Sequence, residues 1–339
     1  RLLGLCHHFA AGFITLAATR TDYNSLYTLV LLSVMFYMPT IALSNSVAYN
    51  ALEKAGLDTV THFPPIRVWG TVGFICAMWV VDLGKMGLSA TQLYFSATLG
   101  LILGLYSFTL PNCPINRSGG GKSIVDLLGL RAFALFKQRK MAIFFIFSML
   151  LGMSLQITNA FADGYIKSFG DTGIHGAKYL GTFGVEHSTI LISLSQISET
   201  LCILLIPFFL KRFGIKRVML IAMFAWVLRF ALLGAGNPGP GVWMFILSMI
   251  VYGVAFDFFN ISGSLFVEKE TSAAIRSSAQ GVFMIMTNGL GALIGSYLAG
   301  WVVNHYGWPL SWYLFAGFSL VVAIVFAVIF KYKHDPNRI

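Results

Sequence analysis

Two carboxylates stand alone in apolar surroundings. Asp257 sits in Tyr252-Gly-Val-Ala-Phe-Asp-Phe-Phe-Asn260, inside an apolar run over residues 242–266, and Glu199 sits inside another at residues 187–210. The chain has thirteen acidic residues. Of the others, Asp82 and Asp163 lie near run ends and the rest fall in loops or tails. A charge at bilayer depth is costly, so an ionisable residue there normally faces a bundle interior or a watered cavity and carries ion or substrate chemistry. A carboxylate that moves between dry and hydrated surroundings can take up a proton in one and release it in the other. Asp257 and Glu199 are therefore the proton-coupling candidates, with Asp257 expected to be essential. The alternative for each is an ion-paired packing device.

Polar and aromatic side chains recur around these acids at helical spacing. Gln196 and Glu199 are i and i+3, as are Gln156 and Asn159. Tyr252, Phe256 and Asn260 line one broad side of their run together with Asp257 and Phe259, and Arg67, Thr71 and Phe74 follow at i, i+4 and i+7. Arg67, if close to the acids in space, would favour their charged form. Aromatic faces hold a planar ring, amides read ring edges in both directions, and a carboxylate accepts hydrogen bonds from vicinal hydroxyls. A solute built from a ring and a sugar suits such a set. Read one at a time, the amides are also ordinary interhelical hydrogen bonds of about 0.6 kcal/mol. The residues by themselves stop at a small polar solute.

Other features carry less. The four cysteines form no C-x-x-C pair, and His7 and His8 have no i+4 histidine or carboxylate, so neither a disulfide framework nor a metal site is expected. Ser118-Gly-Gly-Gly-Lys-Ser123 ends like a P-loop, but Asn116 stands where the pattern needs glycine, and a flexible linker is the better reading. No H-E-x-x-H, G-x-S-x-G or acidic metal cluster occurs, which speaks against a membrane enzyme. Arg229 reads as structural, pairing with a helix end or snorkelling. Gly291, Gly295 and Gly300 suggest close helix contact.

The elements that must position these groups follow from composition. With 57% hydrophobic and 11% charged residues, the chain is far more apolar than a soluble domain, which is roughly 25% charged. A membrane-spanning helix needs about 20 apolar residues. Candidate stretches lie within residues 2–19, 26–51, 65–82, 90–110, 141–163, 187–210, 216–235, 241–266, 279–303 and 309–330. Pro64-Pro65 reads as the first turn of the third. The net charge of +10 is gathered in alternate loops, which fits the positive-inside rule better than nucleic-acid binding. That asymmetry, with Lys211, Arg212, Lys216 and Arg217 on one side and only Arg20, Lys85, Lys167 and Lys178 on the other, puts both ends in the cytoplasm. The expected organisation is a four-helix amino-terminal part at residues 1–110, a cytoplasmic linker at 111–140, a six-helix half at 141–331 and a cytoplasmic tail at 332–339. Residues 124–140 of the linker read as an amphipathic surface helix. Transporters commonly pair two six-helix halves around a midplane site, so an amino-terminal truncation of a twelve-helix protein is expected.

The same residues sit in longer motifs: Phe63-Pro-Pro-Ile-Arg-Val-Trp-Gly-Thr-Val-Gly-Phe74, Met141-Ala-Ile-Phe-Phe-Ile-Phe-Ser-Met-Leu-Leu-Gly152, Leu155-Gln-Ile-Thr-Asn159, Ser195-Gln-Ile-Ser-Glu-Thr200, Phe256-Asp-Phe-Phe-Asn-Ile-Ser-Gly263 and Val267-Glu-Lys-Glu270. In these the chain resembles the bacterial nucleoside permeases of the nucleoside:proton symporter family, a branch of the major facilitator superfamily. The similarity runs from about Leu2 to the Lys331-Tyr-Lys-His334 tail and is weaker over residues 163–186. It implies an all-α membrane protein with the major facilitator fold lacking its first two helices, ten transmembrane helices arranged four plus six. The implied activity is proton-coupled uptake of nucleosides across the bacterial inner membrane by alternating access, with no cofactor and no metal. Carried over residue by residue, the resemblance places Arg67, Thr71 and Phe74 on one side of a central substrate-binding site. Gln156, Asn159, Gln196, Glu199, Tyr252, Phe256 and Asp257 fall on the other. The expected partners are a nucleoside, protons and the lipid bilayer, with no nucleic acid and with the chain a monomer. A major facilitator transporter of a sugar or drug, or an inactive fragment, is the alternative.

Overall fold

A computed structural model describes residues 1–57, 59–87, 89–111, 130–272 and 275–332 of the chain. Most of the basic linker falls outside the described residues, including the glycine-rich stretch 118–123, and so does the side chain of Arg67. Among the described residues the secondary structure is helical, with no strand. The body of each apolar stretch in the sequence is helix. The chain divides into two compact units, Arg1–Gly120 and Gly121–Ile339.

The first unit holds α1 (Leu2–Ala17), α2 (Tyr23–Lys54), α3 (Thr59–Leu83) and α4 (Thr91–Ser107). Asp22 caps α2: its carboxylate accepts the Ser25 N–H at 2.8 Å, and hydrogen bonding from the Ser25 side chain first and its backbone N–H second holds the group below the usual carboxylate range. α1 packs against both α2 and α4, and the Ser33 hydroxyl of α2 donates to the Ala10 carbonyl of α1 at 2.8 Å. α3 begins at Thr59, so Pro64 and Pro65 fall inside the helix and not in its first turn as the sequence suggests.

The second unit holds a 3₁₀ segment (Leu130–Lys137), α5 (Arg139–Ser168), α6 (Ser188–Ala235), α7 (Val242–Glu270), α8 (Arg276–Met284), a π-helical turn (Ile285–Gly291) and α9 (Ala292–Ile329). α6 has 48 residues, about 70 Å at 1.5 Å per residue, which is twice the hydrocarbon thickness of a bilayer. It must therefore turn back, and it does so at Gly214, where φ is +75°. α9 turns likewise at Gly307, with φ +71°. Only glycine adopts such angles without strain, and these glycines fall at the ends of the apolar stretches. Among the described residues, five elements are long and apolar enough to cross a membrane: Tyr23–Lys54, Arg139–Ser168, Ser188–Ala235, Val242–Glu270 and Ser278–Ile329.

Lipid tails are as apolar as leucine, so helices in a bilayer associate through close packing and polar contacts. Two aromatic clusters supply that packing in the second unit. Phe144 sits against Phe266 at 4.7 Å and Phe283 at 5.3 Å between ring centroids. Far along α5 and α7, Tyr165 meets Phe169 at 5.1 Å and Phe245 of α7 at 6.0 Å, and Trp312 of α9 at 5.3 Å. The middle of α7, with Tyr252, Phe256 and Asp257, lies between these clusters. The 3₁₀ segment buries Ala132 and Leu135 and sets Phe136 5.1 Å from Phe145. Of the surface helix expected over residues 124–140, residues 124–129 lie outside the described residues, and Leu130–Lys137 form a 3₁₀ segment that packs against α5 and α8.

Candidate functional site

Asp257 is placed by a glycine one turn before it. A Cβ added at Gly253 would lie 2.6 Å from the Ser198 backbone carbonyl, so the two helices touch there and only glycine fits. The Ser198 hydroxyl donates to the Ile250 carbonyl, and the Ser195 hydroxyl donates to the Met249 sulfur at 3.1 Å. Glu199, next to Ser198, comes within electrostatic reach of Asp257. Asp257 is 3% exposed, and its Oδ2 is buried with no hydrogen-bond partner among the described residues. Glu199 is half-buried. An ionised carboxylate so placed costs several kcal/mol, which a proton on the oxygen removes.

Arg229, on the second arm of α6, fixes the other side of this seam. Its Nη1 donates to the Ser248 carbonyl at 2.6 Å, its Nε donates to the Thr158 hydroxyl at 3.4 Å, and the guanidinium lies 4.6 Å from the Tyr252 ring centroid. Ser248 returns a hydrogen bond to the Arg229 carbonyl at 3.1 Å. At 1% exposure the side chain does not snorkel, and its carbonyl partner lies within α7, away from the helix ends. Both expectations for Arg229 are thereby corrected, because a guanidinium with five donors is satisfied here by neutral acceptors. Tyr252 is thus held from above by a cation. It is flanked by Trp226, edge to face at 6.0 Å, and by Phe256, near-parallel at 5.8 Å and 18°. Asn159 is exposed on α5, near Tyr252.

A second seam joins α5 to the π-helical turn. A Cβ at Gly152 would lie 2.1 Å from the Thr287 carbonyl oxygen, one at Gly291 2.5 Å from the Met149 carbonyl, and one at Gly295 2.7 Å from the Met153 Cα. Gly300 meets only Phe161 at 3.8 Å, so it is not part of the close contact its spacing suggests. Beside this seam lies a narrow cleft with about 20 Å³ of free volume, lined by Phe256, Phe259 and Asn260 of α7 and by Thr287 and Asn288 of the turn.

The acids and aromatics expected on the carboxyl-terminal side lie on α6 and α7, with Asn159 exposed on α5. Gln156 and Gln196 are half-buried, and neither side-chain amide makes a hydrogen bond among the described residues. Thr71 is half-buried and Phe74 exposed on α3; the Arg67 side chain lies outside the described residues. Among the described residues no cluster of three or more metal-ligating side chains occurs. Sequence reasoning missed Ser198, Gly253, Met249, Thr158 and Ser248 as the parts that hold the acids and Tyr252, and missed Thr287 and Asn288 altogether. A glycine inside the aromatic run Tyr252–Asn260 was the one available signal of a close approach.

Comparison with known proteins adds the following. A family model described as "Nucleoside H+ symporter" matches residues 1–335. The chain is 51% identical to the nucleoside permease NupG of Escherichia coli strain K12 over 337 residues, covering 97% of this chain and 80% of that protein. It is 50% identical to the xanthosine permease of the same organism over 342 residues, covering 99% and 81%. A crystal structure of a point mutant of the nucleoside transporter NupG superposes with a TM-score of 0.92 at 50% identity, covering 97% of this chain and 83% of that one. A bacterial homologue of the human lysosomal transporter Spinster, inward-facing and unoccupied, shares the fold with a TM-score of 0.63 at 14% identity, covering 97% and 82%.

Proposed function

The chain belongs to the Nucleoside H+ symporter family, and from that premise we propose that it carries nucleosides across the bacterial inner membrane with protons, by alternating access, with Asp257 as the proton carrier. The observation behind this assignment is the buried, unpartnered Oδ2 of Asp257 beside Glu199. Protonation neutralises the group while the seam is dry; opening to water releases the proton, and Glu199 makes the ionised state of its neighbour costlier by like charge. The near-parallel Tyr252 and Phe256 rings offer a face for the base. Gln156, Asn159 and Gln196 offer donors and acceptors for its edge, and Glu199 accepts from ribose hydroxyls. The chain crosses the membrane ten times, four plus six, with both ends cytoplasmic, and works as a monomer.

The test is uptake of labelled uridine into proteoliposomes under an imposed proton gradient. Asp257→Asn is expected to abolish gradient-driven accumulation; accumulation at the wild-type level would remove Asp257 from the scheme. The two relatives, at 51% and 50% identity, are named for nucleosides generally and for xanthosine. Base preference is therefore a matter of individual side chains and not of overall similarity.

A further inference from the structure

We propose that Asn260 and Asn288, facing each other across the cleft beside the π-helical turn, determine which nucleobase the transporter prefers; this rests on the nucleoside reading above. The cleft has apolar and aromatic walls with a few convergent polar groups, and its free volume of about 20 Å³ has room for one exocyclic group on the edge of a base and not for a whole ligand. Its wall shares Phe256 with the candidate substrate site, so a base lying on that ring presents its edge to the cleft. Asn260 is i+4 from Phe256 on α7 and lies on the same helix face.

Two features show that the amides are kept available. No hydrogen bond engages the Asn260 side chain among the described residues, and the Asn288 amide has only the Met284 sulfur at 3.5 Å, a weak acceptor. Thr287 is different: its hydroxyl donates to the Phe283 carbonyl at 2.9 Å, which leaves it able only to accept. An asparagine amide offers donors and an acceptor, so two of them facing one cleft discriminate between bases whose edges differ in keto and amino groups.

The backbone explains how Asn288 gets there. Consecutive residues of an α-helix point about 100° apart, yet Thr287 and Asn288 both line the cleft. They sit in the π-helical turn Ile285–Gly291, whose i→i+5 bonding widens the turn and shifts side-chain register, a device found frequently at functional sites. The turn is held rigidly, since Gly152 and Gly291 bring its backbone into contact with that of α5.

The experiment measures proton-driven uptake of uridine, adenosine and xanthosine in proteoliposomes for the wild type and for Asn260→Leu, Asn288→Leu and Asn288→Gln. The expected result is a change of about tenfold in the ratio of kcat/KM between at least two bases, carried mainly by KM. Asn288→Gln should keep more of the wild-type order than Asn288→Leu, and the proton-to-nucleoside ratio should stay unchanged. If a leucine variant does not accumulate in the membrane, thermal-shift affinities for the same nucleosides on purified Asn288→Gln and Asn260→Gln carry the comparison. Unaltered preference ratios in the variants, with the wild type active, would overturn this assignment and leave the transport reading standing. A wild type that accumulates no nucleoside would overturn the transport reading and this assignment with it.

Discussion

The two seams of the second unit are built by the same device and end differently. Between α6 and α7, Gly253 lets the Ser198 backbone approach, and the space around the contact is filled by Met249, Arg229, Tyr252 and Cys202. The result is a dry pocket of one carboxylate, with Asp257 3% exposed. Between α5 and the π-helical turn the backbones come closer still, 2.1 Å against 2.6 Å from the absent Cβ. There Thr287, buried, and Asn288, exposed, both line the narrow cleft that stays open. A small-residue contact therefore only sets distance; what the neighbouring side chains do with the space decides between a buried carboxylate and an open cleft. α7 borders both the first seam and the cleft beside the second, so Phe256 and Asp257, adjacent in sequence, have opposite kinds of surroundings.

The comparison breaks most readily at the glycines. Gly152→Val and Gly253→Val place side-chain atoms on backbone that cannot move away, and each is expected to destabilise by about 3 kcal/mol or more. Melting in detergent should show the larger loss for Gly152→Val, while Gly300→Ala, with nothing closer than 3.8 Å, should melt as the wild type. Equal melting of all three would mean that neither seam is held by its glycine. Next in size, Arg229→Leu removes charge-assisted hydrogen bonds to Ser248 and Thr158 and is expected to lose about 1.5–3 kcal/mol. A gain in stability would show instead that desolvating the guanidinium outweighs its partners. The smallest effect belongs to Lys140, which bonds Glu270 at 2.5 Å and lies 4.6 Å from the Tyr332 ring, with the pair's side chains 40% and 27% exposed. Lys140→Ala should change stability by no more than about 1 kcal/mol, and a larger loss would make this contact a tie between the ends of α5 and α7.

Much of this was legible in the chain. Apolar runs of bilayer length and carboxylates inside them are local properties, and helical periodicity placed Gln196 with Glu199 and Gln156 with Asn159 before any coordinates. Arg229 was misread because its type and place in the run say nothing of acceptors on other helices. The start of α3 was misread because proline favours a first turn without requiring one. The 3₁₀ form of Leu130–Lys137 was hidden in the same way, since its apolar residues suit a lipid surface and a protein surface equally.

By itself the sequence determined that the chain is built of apolar helices of membrane-spanning length and that two of its acids lie inside such runs, because each depends on neighbours a few positions away. Only the tertiary structure decided that Asp257 keeps an oxygen without a partner, that Arg229 clamps Tyr252, and that a π-helical turn aims Asn288 across a cleft. Those outcomes depend on how closely two backbones approach, and the groups concerned, such as Ser195 and Met249, stand 54 positions apart along the chain.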